Sequence, residues 1–259
     1  MTEGHKLTSI GGVMSDGHAL VVNKKIVEGV DPENYSLELL KGKTIVLQAG
    51  STYDVEFRMA LKESGFDLEN DINIVSADSG TSAYNSLNNG EIDGAAVYAP
   101  FRQKAIDAGF VPLLYCDEIE YFSDPICCRS VALEENVSSN PEKYEAYSRA
   151  MIRAAEFLEA NHEKSIEDAG KYLDIDADIL EKDTYNHSIN NPDPDEAKTV
   201  TFYNAMKELG YLDGKEDIDI TQFVNNDIYE SALNALVEEN PGNEYYKGLI
   251  DYHENAVVK

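Results

Sequence analysis

The sequence predicts an α/β fold in which a mainly parallel sheet, covered by helices on both faces, is followed by a mostly helical C-terminal region. Three observations carry this. Between residues 44 and 98, short β-branched runs alternate with segments of helical periodicity, joined by tight Gly, Ser and Thr turns. From Pro141 onward the apolar residues fall at helical spacing instead. The 259 residues, 42% hydrophobic and 27% charged, supply enough apolar material for one large domain or two modest ones.

Taken in order, residues 7–12 and 19–22 read as short extended segments, and residues 30–41 as a turn leading into a short helix. Thr44-Ile45-Val46-Leu47 is a compact strand closed by Ala49-Gly50-Ser51-Thr52, after which Val55 and Met59 mark a helix that Gly65 stops. Ile72 to Val75 is the next strand. Ser79-Gly80-Thr81-Ser82 is its turn and cap, and Ala83, Tyr84 and Leu87 form the buried side of a helix ending at Asn89-Gly90. Ile92 to Tyr98 returns as a strand, so right-handed crossovers follow. In the second half Tyr144, Tyr147, Met151, Ala154 and Leu158 define a long helix, with Asn140 placed to cap it and Pro141 at its first position. Residues 190–198 form a Pro- and Asp-rich loop, and Ala197 to Leu209 and Ile228 to Val237 are further helices.

Lys and Arg number 21 against 49 Asp and Glu, a formal charge of −28. That field repels nucleic acid and anionic headgroups, so no nucleic-acid partner is expected. Any anionic ligand has to be held by local dipoles against the overall charge. The three cysteines, Cys116, Cys127 and Cys128, do not describe a disulfide framework. The opening MTEGHKLTSIGG shows neither a basic n-region nor an apolar h-region, so no export signal is expected in the chain as written.

Two segments have the chemistry to grip a ligand. Gly50, Ser51 and Thr52 lie at a strand end and a helix start, where free backbone N–H groups and the positive dipole end favour an anionic oxygen. Ser51 or Thr52 serves equally well as a plain helix cap. Ser79, Gly80 and Thr81 repeat the arrangement. Tyr98 ends a strand at the sheet's carboxyl edge, where ligands of open α/β sheets bind, and reads alternatively as a core aromatic.

Residues 40–101 carry a more specific pattern: Leu40-Lys41-Gly42-Lys43 before a strand, Gly50-Ser51-Thr52 at the helix start, Asn89-Gly90-Glu91-Ile92-Asp93 before the next strand, and Tyr98-Ala99-Pro100-Phe101. This run resembles the substrate-binding proteins of the nitrate, sulfonate, taurine and thiamine-precursor ABC importers. The similarity continues more loosely through Cys127-Cys128-Arg129, the helix beginning at Pro141, and residues 219–236. It implies a type II periplasmic-binding-protein-like fold with two lobes and a ligand enclosed between them. Residues 7–130 then correspond to the second, gripping lobe, and residues 131–259 to C-terminal helices returning toward an incomplete first lobe. The segment that precedes the part resembling Ser15 to Lys25 in relatives is absent here, and upstream sequence is its expected source. The resemblance places Ser79-Gly80-Thr81 at the cleft, sets His18 where it either faces that cleft or is structural, and puts Arg129 near an oxyanion group or in an ion pair.

What the resemblance implies about function is a solute-binding component without catalytic activity, cofactor or metal, whose partners are a small anionic or heterocyclic solute and a permease subunit. Its place would be the outer face of the cytoplasmic membrane or the periplasm. The fungal thiamine pyrimidine synthases resemble the same proteins but carry a CCCFC motif, which Ile126-Cys127-Cys128-Arg129 does not match. HExxH, GxSxG, P-loop and paired CxxC patterns are missing, and the five histidines show no metal-ligand spacing. Cys127 and Cys128, adjacent on a strand, are expected on opposite faces. A ligand-sensing module on the same lobe is the other alternative, without the basic helix-turn-helix such regulators carry. Two helix N-termini and one or two charge-assisted bonds sum to roughly 6–10 kcal/mol before association costs of at least about 4, so one lobe alone is expected to bind weakly.

Overall fold

The computed structural model describes residues 6–258. In chain order its strands and helices begin with β1 (Leu7–Asp16), β2 (His18–Val22) and β3 (Thr44–Val46). Next come α1 (Thr52–Glu63), β4 (Asn73–Val75), α2 (Gly80–Asn88), β5 (Gly94–Tyr98), α3 (Phe101–Asp107) and β6 (Val111–Tyr115). After β7 (Ile126–Leu133) the chain is mostly helical: α4 (Glu134–Ser139), α5 (Pro141–Ala160), α6 (His162–Ala169), α7 (Ala177–Tyr185), the two-residue β8 (Ser188–Ile189), α8 (Glu196–Glu208), α9 (Asn226–Glu239) and α10 (Glu244–Ala256). Residues 30–41, expected to reach a short α-helix, form two 3₁₀ turns, Pro32–Asn34 and Leu37–Leu40.

These elements make two compact units, each assembled from separated stretches of chain. A sheet unit comprises residues 16–125 and 166–189. A helical unit comprises residues 6–15, 126–165 and 190–258. The units therefore do not meet at a single boundary near residue 130. Residues 7–15 belong with the helical unit because β1 pairs antiparallel with β7, from Leu7 opposite Leu133 to Ser15 opposite Ile126. Residues 177–189 belong with the sheet unit because Arg102 of α3 holds the end of α7. Its guanidinium donates to Asp183 Oδ1 (3.0 Å) and to the carbonyls of Lys182 (3.2 Å), Asn186 (2.7 Å) and His187 (3.2 Å). The guanidinium thus gathers carbonyls from the last turn of α7 and from the two residues that follow it.

The sheet has the order β4-β3-β5-β2-β6. β3 pairs parallel with β4 and with β5, whereas β2 pairs antiparallel with β5 and β6. Four of the five strands thus share one direction, and only β2 runs against them. Strand ends and helix starts collect at one edge as a result: the carboxyl ends of β3, β4, β5 and β6, the start of β2, and the N-termini of α1 and α2. Ala19, Val21, Val46, Ala95 and Val97 pack with Ala83 and Leu87 of α2 to form the core behind that edge.

In the helical unit, α5, α9 and α10 bury Ile152, Tyr229, Leu233, Leu236 and Tyr246 together. Pro141 does occupy the first turn of α5, but Asn140 makes no cap bond; its side-chain amide donates back to the Asn136 carbonyl at 3.3 Å. The preceding helix α4 ends at that residue, and its free carbonyls compete for the side chain. β7 carries a bulge: Met14 faces Cys128 and Ser15 faces Ile126, leaving Cys127 as the extra residue. A bulge abolishes strict alternation. Cys127 and Cys128 accordingly bring their sulfurs to 3.5 Å instead of pointing to opposite faces. Among the described residues no helix is long and apolar enough to cross a membrane.

Candidate functional site

α1 follows β3 through the turn at Gly50, whose φ of 78° lies in the left-handed region that glycine adopts without strain. Ser51 caps the helix, its Oγ accepting from the Asp54 N–H at 3.1 Å. The Gly50 N–H donates to Asp54 Oδ2 at 3.0 Å, and Arg58 donates to Asp54 Oδ1 at 2.7 Å. The cradle therefore already contains a fully buried carboxylate. A ligand oxyanion here competes with Asp54 for the helix dipole, and the anion-binding reading of Gly50-Ser51-Thr52 weakens accordingly.

The second cradle is built the same way without an acid. Ser79 caps α2 by accepting from the Ser82 N–H at 3.1 Å. Gly80 is buried where a Cβ would stand 2.9 Å from the Tyr98 ring and 3.0 Å from Phe101. Only glycine lets the start of α2 approach those rings so closely. Ser79 and Thr81 are exposed beside it.

Between the two helix starts runs a row of rings. Tyr98, the last residue of β5, sits opposite His18, the first of β2. Tyr53 lies between them, 5.1 Å from His18 and 5.6 Å from Tyr98 by ring centroid, and Phe101 meets Tyr98 edge-on at 6.0 Å. Tyr53 donates its hydroxyl to Gln48 Oε1 at 2.6 Å. Burial pushes that hydroxyl up to about 12, so it stays a donor at neutral pH. Tyr98 and Phe101 are the half-buried members of the row, the rings a planar molecule can reach, whereas His18 and Tyr53 are buried. Gln48 and Tyr53 were not singled out from the sequence, although Tyr53 directly follows the cradle that was.

His18 belongs to this row but not to its surface. It is 3% exposed, and its Nδ1 lies 2.8 Å from Oε2 of the fully buried Glu56 of α1. The His18 backbone N–H donates to Cys116 Sγ at 3.2 Å, just past the end of β6. Burial, reinforced by the Glu56 charge, drives the Cys116 thiol strongly upward. Nearby, Tyr115 stacks on His187 at 3.5 Å, and His187 Nδ1 lies 2.8 Å from Asp117 Oδ2.

Arg129 is the one candidate that lies in the helical unit. Its guanidinium donates to the carbonyls of Met14 (3.3 Å) and Cys128 (3.0 Å) rather than to a carboxylate. Burial lowers its pKa, opposed by the charges of Asp195 and Asp193. Those two acids come from the loop at residues 190–195, which is wired elsewhere. Asp193 Oδ2 lies 2.7 Å from His253 Nδ1, Tyr252 donates to Asp195, and the other His253 nitrogen is 3.2 Å from Glu230 Oε1. The structure thus gathers Gly50, Ser51, Thr52, Ser79, Gly80, Thr81, Tyr98 and His18 in one unit and leaves Arg129 in the other.

Comparison with known proteins agrees with this architecture. A Brucella abortus protein, named provisionally as a binding protein, is 28% identical over 197 residues, covering 72% of this chain and 57% of the relative. The chain thus spans a little over half the length of the curated relatives it matches. Among solved structures, the periplasmic aliphatic sulphonate-binding protein of Escherichia coli superimposes with a TM-score of 0.69 at 18% identity, over 88% of this chain and 76% of that one. The periplasmic nitrate-binding protein of Synechocystis PCC 6803 gives 0.71 at 14% identity, over 89% and 68%. The fold also carries catalysis elsewhere, since a desulfurization enzyme matches with a TM-score of 0.61 at 11% identity over 89% and 80%. These likenesses establish a periplasmic-binding-protein-like fold. The NMT1-like family model matches residues 3–171, more than half of the sequence, and the chain belongs to that family.

Proposed function

We propose that this chain captures a small planar solute for an ABC importer and hands it to a permease subunit on the outer side of the cytoplasmic membrane. The observation that carries the reading is the row His18, Tyr53, Tyr98 and Phe101 at the sheet's carboxyl edge, between the capped starts of α1 and α2. Such a row offers a face for stacking, and Tyr53, Gln48 and Ser79 add polar groups for orientation. Sulfonate, nitrate and thiamine-pyrimidine solutes are the classes that the resemblance implies. Asp54 in the first cradle and the charge of −28 both oppose a bare anion, which favours a planar heterocycle of the pyrimidine type.

Isothermal titration with a thiamine-pyrimidine precursor, an alkanesulfonate and nitrate tests this, using both this chain and a longer one extended with its upstream coding sequence. Heat is expected with the pyrimidine, and Tyr98→Ala is expected to weaken it about tenfold through the lost ring contact. Tighter binding of nitrate than of the pyrimidine would overturn the ligand class. Silence from all three solutes in both chains would overturn solute capture.

A further inference from the structure

The buried group beneath the aromatic row has a composition that solute binding does not account for. His18 from β2, Glu56 from α1 and Cys116 after β6 present donor atoms that all lie within 4.8 Å of one another. The three residues are 3%, 0% and 0% exposed. Glu56 Oε2 faces His18 Nδ1, but Glu56 Oε1 is buried without a hydrogen-bond partner. A carboxylate oxygen in that state is costly, and native interiors rarely tolerate one without a cation or a donor.

We propose that His18, Glu56 and Cys116 form a buried site for a divalent zinc-class cation. Nδ1 of neutral His18, both oxygens of Glu56 and the Cys116 thiolate provide four donor atoms of the N, O and S types that zinc takes. The unpartnered Oε1 becomes the second arm of a bidentate carboxylate. Charge closes as well: one divalent cation, one carboxylate and one thiolate sum to zero, so the occupied site places no net charge in the core. Binding breaks the S–H bond of Cys116 and releases that proton to solvent, while the proton that Nδ1 of neutral His18 donates to Glu56 moves to Nε2, with no change of oxidation state. The His18 N–H already aimed at Sγ then supports the thiolate. Donors from different residues around zinc stand about 3.5 Å apart, so the His18–Glu56 pair opens slightly and the other donors, already within 4.8 Å of one another, draw in around the ion. Calcium and magnesium, which want six or more oxygens, do not match this set. Because His18 packs on Tyr53, the ion would underpin the aromatic row, but its presence does not depend on which solute binds above.

The vicinal thiols of the bulge also bind soft ions, so the test uses the full chain carrying Cys127→Ser and Cys128→Ser. After chelator treatment and dialysis against zinc, elemental analysis is expected to find about one zinc per chain. With cobalt(II) in its place, a thiolate-to-cobalt charge-transfer band and the intense visible bands of four-coordinate cobalt are expected. Adding Cys116→Ser should abolish the charge-transfer band and weaken zinc at least about a hundredfold, more than loss of an outer-shell partner does. Glu56→Gln should also weaken zinc while keeping the fold, as followed by circular dichroism. Zinc well below one equivalent, or a cobalt spectrum without a thiolate band in the Cys116-containing chain, overturns the site whether or not the variants fold. So does a band that the unsubstituted chain shows and the Cys127→Ser, Cys128→Ser chain lacks.

Discussion

Each unit of the molecule buries a histidine against a carboxylate, and the two pairs are finished differently. In the helical unit both ring nitrogens of His253 are engaged, and Asp193 accepts with both oxygens, from His253 and from the Asp195 N–H at 2.7 Å. In the sheet unit Glu56 receives His18 on one oxygen only, and the other is buried without a partner beside a thiol. The first arrangement is a closed structural clamp that fixes the loop at residues 190–195 to α10. The second has donor capacity to spare. Burial alone therefore does not distinguish the two pairs; the completeness of the carboxylates' hydrogen bonding does.

The sharpest way to break this comparison is to remove one acid from each pair. Asp193→Ala leaves His253 and a loop N–H without their acceptor and should cost about 3–5 kcal/mol in urea unfolding, whereas Glu56→Gln, which surrenders one bond in a metal-free sample, should cost about 1. Equal losses would erase the distinction. Gly80→Ala comes next. Its Cβ meets the Tyr98 and Phe101 rings at 2.9–3.0 Å, so a cost of about 1–3 kcal/mol is expected in a thermal melt, together with a shifted Tyr98 ring resonance.

The clamp also has a pH signature. Burial opposes protonation of His253, but Asp193 and Glu230 outweigh it and raise its pKa. Its stabilisation should be complete below the free-histidine value of about 6.5 and decline as pH rises through the folded value, at no more than about 1.4 kcal/mol per pH unit. His253→Gln should flatten that segment of a urea-midpoint profile; an unchanged slope would remove the clamp from the explanation. The smallest effect belongs to Ser51→Ala. About 0.5–1 kcal/mol is expected by chemical denaturation, because Asp54 still bonds Gly50 and steadies the same helix start.

The legible parts of this fold are those written locally. Ser51 and Ser79 could be read as caps because a hydroxyl placed just before a periodic run has one dominant use, and the strands of residues 44–98 stood out by β-branching and turns. Asn140 misled because its local pattern fits a cap while the end of α4 claims the side chain. Cys127 and Cys128 misled because alternation holds only in regular strands, and the bulge arises from pairing with β1, more than a hundred residues earlier. The cluster of His18, Glu56 and Cys116 leaves no spacing motif at all: its members are separated by 38 residues from His18 to Glu56 and 98 from His18 to Cys116. α10, with Tyr246 and His253 on its buried face, was missed among polar residues that disguise its periodicity.

The interleaving of the two units bears on synthesis at the ribosome. β1 is made early, but its partner β7 begins at Ile126, the carbonyl that receives the Gly12 N–H belongs to Pro192, and Ser9 bridges Val224. The sheet, by contrast, has all five strands once Tyr115 has emerged. A nascent chain can therefore pair the five strands of the sheet shortly before β1 meets β7, and β1 gains its contacts with residues 192 and 224 last. Until β7 emerges the backbone edges of β1 have no mate, which makes this strand a natural point of contact for a holding chaperone.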